Sequence, residues 1–398
     1  MASKPSVFLS SLEWKALLAG GCLFTAGALI GSVVAGRPKK ATIIPSPRTT
    51  RLPKLSEEEK SQLPYPPDVL PGARDVDTPY GTIKVYEFGP EDGRKVLLVH
   101  GISTPAISLG GVAHGLVDHG CRVMLFDLFG RGYSDNPVDL PQDARLFTTQ
   151  ILLALASSPL SWTGKDSGKF SLMGYSLGGG ISAAFTSYFP DLVDSLVLVA
   201  PAGLIRPAHI SRTSRIIYSE GIIPEPILQR LIRRRLRQPL ATPANAGDSK
   251  GQKGDATEAV HAEVNLESNS QAALSKIRPH VTVEAAVLDQ LTVHPGFVPA
   301  YVSSMRYGPV RSQHDRWRII GDRLSRQNQE KGTQKKVLIV CGATDPIIIR
   351  WELEEDATEV LSGNVEFVVL DARHDVPITK PDQIVEHLVD FWRRTDFP

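Results

Sequence analysis

A serine at position 176 stands in the pattern Gly-Tyr-Ser-Leu-Gly, which occupies residues 174–178. The pattern follows an apolar run that ends at Met173 and precedes an alanine-containing helical pattern that extends through Ser187. Glycines on both sides of a serine permit a turn so sharp that the hydroxyl oxygen projects above a sheet, where it can act as a nucleophile. A tight strand-to-helix turn without chemistry gives the same pattern, so the interpretation depends on partners elsewhere in the chain.

A base and an acid for this serine follow two late apolar runs, at His374 and Asp345. A serine hydroxyl is too weak an acid to attack a carbonyl carbon at neutral pH, so a histidine must accept its proton and later deliver it to the leaving group. We predict this role for His374, with Asp345 orienting the imidazole. The alternatives are that Asp345 caps a helix or turn and that His374 is an exposed loop residue. Asp371 and Asp375 flank the histidine and are the competing acids.

A glycine turn that begins at His100, directly after another apolar run, predicts an oxyanion hole. The backbone N–H groups of Ile102 and Leu177 would bind the negative oxygen of a tetrahedral intermediate, and one such donor contributes about 3 to 4 kcal/mol. Gly101 and Tyr175, which precede these two donors, are candidate substrate contacts. An ordinary turn is the alternative, and we expect His100 itself to be structural.

Seven apolar, β-branched runs are predicted to be the strands that position these residues. They are Thr82–Phe88, Lys95–Val99, Val123–Phe126, Phe170–Met173, Leu196–Val199, Val337–Val340 and Val365–Leu370. Because the runs alternate with longer helical patterns, they predict an α/β fold with a mostly parallel sheet and helices on both faces. Sites in such sheets form at the carboxyl ends of the strands, where the candidate residues stand.

Three motifs resemble, in order and spacing, those of the α/β-hydrolase superfamily. They are the His100-Gly101 turn, the glycine-rich loop Asp127–Asp135 and the serine turn Gly174–Gly178. The resemblance covers roughly Gly81 to Trp392. It implies an α/β-hydrolase fold with an inserted cap, and a serine esterase or lipase activity.

The same resemblance supports the two remaining site residues. The family usually carries its acid after a late strand in a Gly-x-x-Asp pattern, which here ends at Asp345, and its histidine after the last strand, which here is His374. Arg373 departs from the family, which more often has glycine at that position.

More chain lies between the predicted strands at Leu196–Val199 and Val337–Val340 than one crossover needs, so we expect a cap inserted over the site. Sparse large apolar side chains predict disorder within it. The predicted organisation is an N-terminal tail at 1–15, a membrane anchor at 16–36, a linker at 37–71, a hydrolase core at 72–202 and 296–398, and a cap at 203–295 with a disordered insertion at 240–271.

Residues 16–36 carry no charge, and this stretch of about 21 residues matches the roughly 20 that cross a bilayer as a helix. We interpret it as a transmembrane anchor, with a cleaved signal peptide as the alternative. Arg37, Lys39 and Lys40 follow the segment, so the positive-inside rule predicts a single-pass membrane protein whose catalytic domain faces the cytosol. The organelle stays undetermined.

A second membrane contact is predicted in the cap, where apolar side chains recur at helical spacing among arginines. The apolar positions are Ile227, Leu228, Leu231, Ile232 and Leu236, and the arginines are Arg230, Arg233, Arg234, Arg235 and Arg237. Such a basic amphipathic helix could lie against anionic headgroups. The alternative is a cap helix with a solvated face.

Charge and cysteine usage exclude other classes of partner. Lysine and arginine total 44 against 43 aspartate and glutamate, so the net charge of +1 gives no reason to expect a nucleic-acid partner. The three cysteines, Cys22, Cys121 and Cys341, form neither a disulfide framework nor a metal-ligand spacing. We expect no metal and no cofactor.

The expected reaction is acyl transfer to water through an acyl-serine, with a lipid or other hydrophobic ester as substrate. Anchor and cap together resemble the architecture of the monoacylglycerol-lipase type. Thioester hydrolysis, C–C bond hydrolysis and acyl transfer to an alcohol are alternatives with the same residues. A hydrolase-like binding protein without activity is the alternative of a different class.

Overall fold

The computed structural model describes residues 42–164, 168–209, 212–237, 273–275 and 277–395. Its strands are β1 (Ile43–Ile44), β2 (Ala73–Val76), β3 (Ile83–Phe88), β4 (Arg94–Val99), β5 (Cys121–Phe126), β6 (Asn136–Pro137), β7 (Phe170–Tyr175), β8 (Val193–Val199), β9 (Val337–Gly342) and β10 (Val365–Leu370). Its α-helices are α1 (Pro47–Thr50), α2 (Glu57–Ser61), α3 (Gly110–Asp118), α4 (Ala144–Ala156), α5 (Leu177–Tyr188), α6 (Arg212–Ile217), α7 (Glu225–Arg237), α8 (Val283–Val293), α9 (Phe297–Tyr307), α10 (His314–Lys331), α11 (Arg350–Val360), α12 (Val376–Thr379) and α13 (Pro381–Thr395).

Eight strands form one sheet in the order β10-β9-β8-β7-β4-β5-β3-β2. The strands from β10 to β5 are parallel, whereas β3 runs antiparallel to β5 and β2 antiparallel to β3. The mostly parallel sheet predicted from the sequence is therefore present. Each predicted strand lies within or next to an observed one, and the edge strand β2 was missed because its residues alternate between exposed and half-buried.

Both faces of the sheet are covered. Successive side chains of a strand point to opposite faces, and in β4 the four residues Val96–Val99 are all buried. The covering helices form two packed groups. Helix α3 packs against α13, while α5 packs against α4 and α10, which in turn contacts α11.

The linker predicted at 37–71 is wrong for its described part, which belongs to the folded domain. Strand β1 pairs with β6, and the backbone N–H of Ser46 donates to Asp135 at 2.7 Å in a buried position. Tyr65 and Leu70 lie in the core, at 3% and 2% exposure. The proline and charge content indicated a tether, but the segment contains α1 and α2, and its apolar side chains hold it against the core.

The predicted cap follows β8 and contains α6, α7 and α8. Helix α7 buries Leu228, Ile232 and Leu236 and packs against α8 and α9. Because α9 contacts both α7 and α8, the packed cap continues past the boundary predicted at residue 295.

Three predicted segments lie outside the described residues, namely the N-terminal tail, the anchor at 16–36 and the insertion at 240–271. Within the described ranges, no helix is both long enough and apolar enough to span a bilayer.

Candidate active site

Ser176 lies on the turn between β7 and α5 with a left-handed backbone conformation, at φ 54° and ψ −119°. The two flanking glycines make this turn possible. A Cβ atom at Gly174 would lie 2.1 Å from the carbonyl oxygen of Gly178, and a Cβ atom at Gly178 would lie 2.1 Å from that of Val99. Strand, turn and helix approach so closely that side chains cannot fit, and this packing holds the serine hydroxyl above the sheet.

His374 joins Ser176 and Asp345 into one hydrogen-bonded chain. Its Nε2 atom lies 2.9 Å from Ser176 Oγ, and its Nδ1 atom lies 2.8 Å from Asp345 Oδ2. An ionised carboxylate can only accept, so Nδ1 carries the ring proton of a neutral His374 and Nε2 is free to accept the serine proton. The histidine ring and the aspartate side chain are 0% and 1% exposed, so water competes little for either bond.

The second oxygen of Asp345 is held by the backbone. Oδ1 accepts from the N–H groups of Ile347 and Ile348, at 2.8 and 2.9 Å. These two donors fix the carboxylate plane and leave Oδ2 directed at His374. The capping role weighed as an alternative is therefore present as well, and one carboxylate serves both purposes.

The competing acids do not occupy this position. Asp371 is exposed and Asp375 is buried, and the Nδ1 atom of the imidazole bonds Asp345 instead. Burial raises the pKa of Asp375. The arginine at 373, where the family more often has glycine, does not have a positive φ angle. The glycine that the local packing requires is Gly342, whose Cβ would lie 2.1 Å from the Arg373 carbonyl oxygen.

The two predicted oxyanion donors lie near the serine in sequence and fold. Ile102 follows β4, which neighbours β7, and Leu177 is the first residue of α5; both are buried. In the part of the chain that the structure describes, neither amide N–H donates a hydrogen bond. The N–H of Leu177, at the start of a helix, has no intrahelical acceptor, and the N–H of Ile102 lies in a turn, so both amides are available to a developing negative charge.

The two predicted substrate contacts are both buried. The ring of Tyr175 packs against the imidazole of His374 with 5.5 Å between ring centroids, and this contact helps to hold the imidazole in place. Gly101 lies in the turn that precedes Ile102.

His100 is structural, as its surroundings show. Its Nε2 atom accepts the backbone N–H of Leu128 at 2.9 Å, so Nδ1 carries the proton and donates to the Gly101 carbonyl oxygen at 2.8 Å. Burial lowers the pKa of His100 to about 3, so the ring is neutral at physiological pH.

Sequence reasoning missed a buried carboxylate beside this turn. Asp127 accepts from the N–H groups of Ala106 and Tyr133, at 3.0 Å each, and from the hydroxyl of Tyr65 at 2.9 Å. Burial raises the pKa of Asp127 to about 6, against the lowering effect of these donors. Its place in the glycine-rich loop was visible in the sequence. Its partner Tyr65 was not, because that residue fell in the predicted linker.

The described residues contain no group of three or more metal-ligating side chains arranged around one point. Cys121 and Cys341 are buried free thiols, and burial raises the pKa of Cys341 to about 12.

Residues 96–387 match the profile of the alpha/beta hydrolase family, and the chain belongs to that family. It is 30% identical over 154 residues to an uncharacterized protein of Mycobacterium tuberculosis, a match that covers 38% of this chain and 42% of that relative. It is 27% identical over 130 residues to a serine hydrolase-like protein of Danio rerio, covering 33% of this chain and 38% of the relative. These matches thus span about two fifths of the curated relatives.

The fold is similar to that of a thermophilic esterase from Thermogutta terrifontis. The TM-score is 0.52 at 19% identity, and the superposition covers 81% of this chain and 98% of the esterase. The likeness extends over nearly the whole of the smaller protein. At this identity it concerns the fold alone.

Proposed function

We propose that this chain is a serine hydrolase that cleaves a carboxylic ester through an acyl-serine intermediate. The observation that carries the proposal is the unbroken chain from Ser176 Oγ through His374 to Asp345, with heavy-atom distances of 2.9 and 2.8 Å. Nucleophile and base lie within hydrogen-bond reach, and the base is oriented by a third group.

The reaction follows from this geometry. Ser176 Oγ attacks the ester carbonyl carbon as its proton passes to Nε2 of His374, and the carbonyl oxygen becomes an oxyanion between the amides of Ile102 and Leu177. The intermediate collapses when the imidazolium gives its proton to the leaving alcohol, which breaks the ester C–O bond. A water molecule then attacks the acyl-serine with His374 as base, releasing the acid and restoring the hydroxyl.

A hydrophobic ester is the proposed substrate, and a lipid ester is its leading class. The side chains of both proposed oxyanion residues are apolar, and the cap that follows β8 carries apolar side chains on its outer surface. Ile227 and Leu231 on α7 are 54% and 53% exposed, on a different side of that helix from its buried positions. Among soluble proteins, clustered exposed apolar side chains mark contacts with partners or membranes.

We also propose that α7 rests on an anionic bilayer surface. The exposed Ile227 and Leu231 alternate with Arg230 and Arg234. Apolar side chains that enter the bilayer surface, together with positive charge beside them, bind helices to anionic membranes. With the predicted anchor at 16–36 and the basic residues that follow it, the catalytic domain would lie on the cytosolic side of a membrane.

Hydrolysis assays with the purified full chain test the proposal. The panel contains p-nitrophenyl esters of graded acyl length, a monoacylglycerol, a lysophospholipid and an acyl thioester. We expect the rate of ester hydrolysis to rise with acyl length. The Ser176→Ala substitution should lower this rate by about 10³-fold or more. The control is Ser187→Ala, which lies in the same helix and only bonds a helix carbonyl.

Three results would contradict the proposal. Esters that stay intact with the wild-type chain would favour a hydrolase-like binding protein. Hydrolysis of the thioester but of none of the esters would show that the substrate class is a thioester. A Ser176→Ala variant as active as the wild-type chain would show that Ser176 is not the nucleophile.

A further inference from the structure

We propose that Gln290, on the cap helix α8, is a positioning residue that holds the oxyanion loop and thereby couples the seating of the cap to catalysis. The oxyanion loop is the segment 100–104, which contains Ile102. The proposal rests on the proposed function, because it concerns the same intermediate.

Three successive carbonyl groups of the oxyanion loop are held by side chains. His100 Nδ1 donates to the oxygen of Gly101 at 2.8 Å, Arg131 Nε to that of Ile102 at 3.2 Å, and Gln290 Nε2 to that of Ser103 at 2.9 Å. Each peptide group is planar, so a held carbonyl also fixes the N–H of the next residue. The Ile102 N–H is thus fixed through the Gly101 carbonyl, and the two following groups keep the loop from rotating.

Gln290 binds the core with both ends of its amide. While Nε2 donates to Ser103, Oε1 accepts the backbone N–H of Gly132 at 2.7 Å. The oxygen must face the N–H and the nitrogen must face the carbonyl, so only one orientation of the amide satisfies both partners. The side chain is 3% exposed, and an unmade bond there leaves a buried group unpaired.

The loop that supplies the Gly132 N–H is closely packed. Gly132 has a φ of +52°, and a Cβ atom at this position would lie 2.1 Å from the Asp127 carboxylate. Gln290 therefore spans two loops that follow the carboxyl ends of β4 and β5. It reaches both from a helix that belongs to the cap rather than to the sheet.

A second cap helix reaches the same place. Arg131 is fully buried, and besides the Ile102 carbonyl its guanidinium bonds Ser304 Oγ on α9 at 2.8 Å. Of the two cap contacts, Gln290 is the one that bonds the oxyanion loop directly. A displacement of α8 from the core removes the donor from the Ser103 carbonyl, so the oxyanion loop is complete only when the cap is seated.

Two variants test this role on the full chain. Gln290→Leu keeps the volume but neither donates nor accepts. We expect kcat for a p-nitrophenyl ester to fall about tenfold with KM within twofold, because the loop matters most in the transition state. An alkyl trifluoromethyl ketone, which forms an oxyanion on the serine, should lose affinity in the same proportion. Thr292→Ala, exposed on the same helix, is the matched control.

Gln290→Glu supplies a readout that does not depend on packing. A protonated carboxyl can donate to Ser103 and accept from Gly132, whereas a carboxylate cannot donate. The ratio of variant to wild-type kcat should therefore rise as the pH is lowered from 8 to 5. This ratio decides the question even if Gln290→Leu folds poorly.

Unchanged kcat and ketone affinity in Gln290→Leu, or a Gln290→Glu ratio that is flat with pH, would overturn the inference alone. A wild-type chain that neither hydrolyses esters nor binds the ketone would overturn the proposed function together with it.

Discussion

The Asp345 carboxylate serves two purposes, because Oδ1 accepts the backbone N–H groups of Ile347 and Ile348 while Oδ2 bonds the imidazole of His374. Ser176, Asp345 and His374 could be selected because each follows a predicted strand, and parallel strands bring their carboxyl ends to one edge of the sheet. The structure brings the three side chains together. The sequence could not show that the Asp345 carboxylate is held by two amides, or that Gln290 reaches the Ile102 loop, since these contacts depend on loop and cap packing.

At this scale, Asp127 gives a prediction for the pH dependence of stability. Its pKa in the folded protein, about 6, lies above the ordinary aspartate value of 3.8, so the folded state binds the proton more tightly than the unfolded state does. The free energy of unfolding therefore contains a contribution that is lost as the pH rises from about 4 to about 6. The expected loss is about 3 kcal/mol.

Denaturant unfolding of the wild-type chain and the Asp127→Asn variant between pH 4 and pH 7 measures this loss. The other titrating groups are common to both proteins and cancel in the difference. We expect the wild-type free energy of unfolding to fall relative to that of the variant across the window. A difference that stays constant with pH would show that Asp127 does not ionise there in the folded protein.

At the scale of elements, the pattern of burial explains which predictions hold. Strands β4 and β7 are buried on both faces, and their continuous apolar runs stood out in the sequence. The edge strand β2 and the segment at 42–71 did not stand out. Their side chains pack on the folded core from one side only. This packing produces no clear hydrophobic periodicity in the sequence.

The packing of that segment predicts a measurable coupling to the cap. Arg51 Nη1 bonds both carboxylate oxygens of Asp289 on α8, at 2.7 and 3.0 Å, with 30% and 15% of the two side chains exposed. A double-mutant cycle with Arg51→Met and Asp289→Asn should give a coupling energy of about 0.5–1 kcal/mol that declines with added salt. A coupling energy of zero would mean that the segment does not hold α8 in solution.

At the scale of the whole molecule, the proposed membrane contact separates two kinds of substrate. Under this proposal, an ester dissolved in water would reach the site from solution, whereas a long-chain ester in an anionic vesicle would reach it from the vesicle surface. In the full chain, Ile227→Asp combined with Leu231→Asp should lower the rate on vesicle substrate severalfold and leave the rate on a short soluble ester unchanged.

Ile319→Asp is the control for this comparison, since Ile319 is an exposed apolar residue of α10 outside the cap surface. Equal losses on both substrates would indicate a damaged fold or site. No loss on either would show that α7 is only a cap helix with a solvated face.

Active-site labelling tests whether Ser176 is a nucleophile that His374 activates. The full chain is treated with a fluorophosphonate probe, digested, and the modified residue is identified by mass spectrometry. We predict one stoichiometric adduct on Ser176, which is absent in Ser176→Ala and forms much more slowly in His374→Ala. An adduct on another residue, or equal labelling of the Ser176→Ala variant, would contradict it.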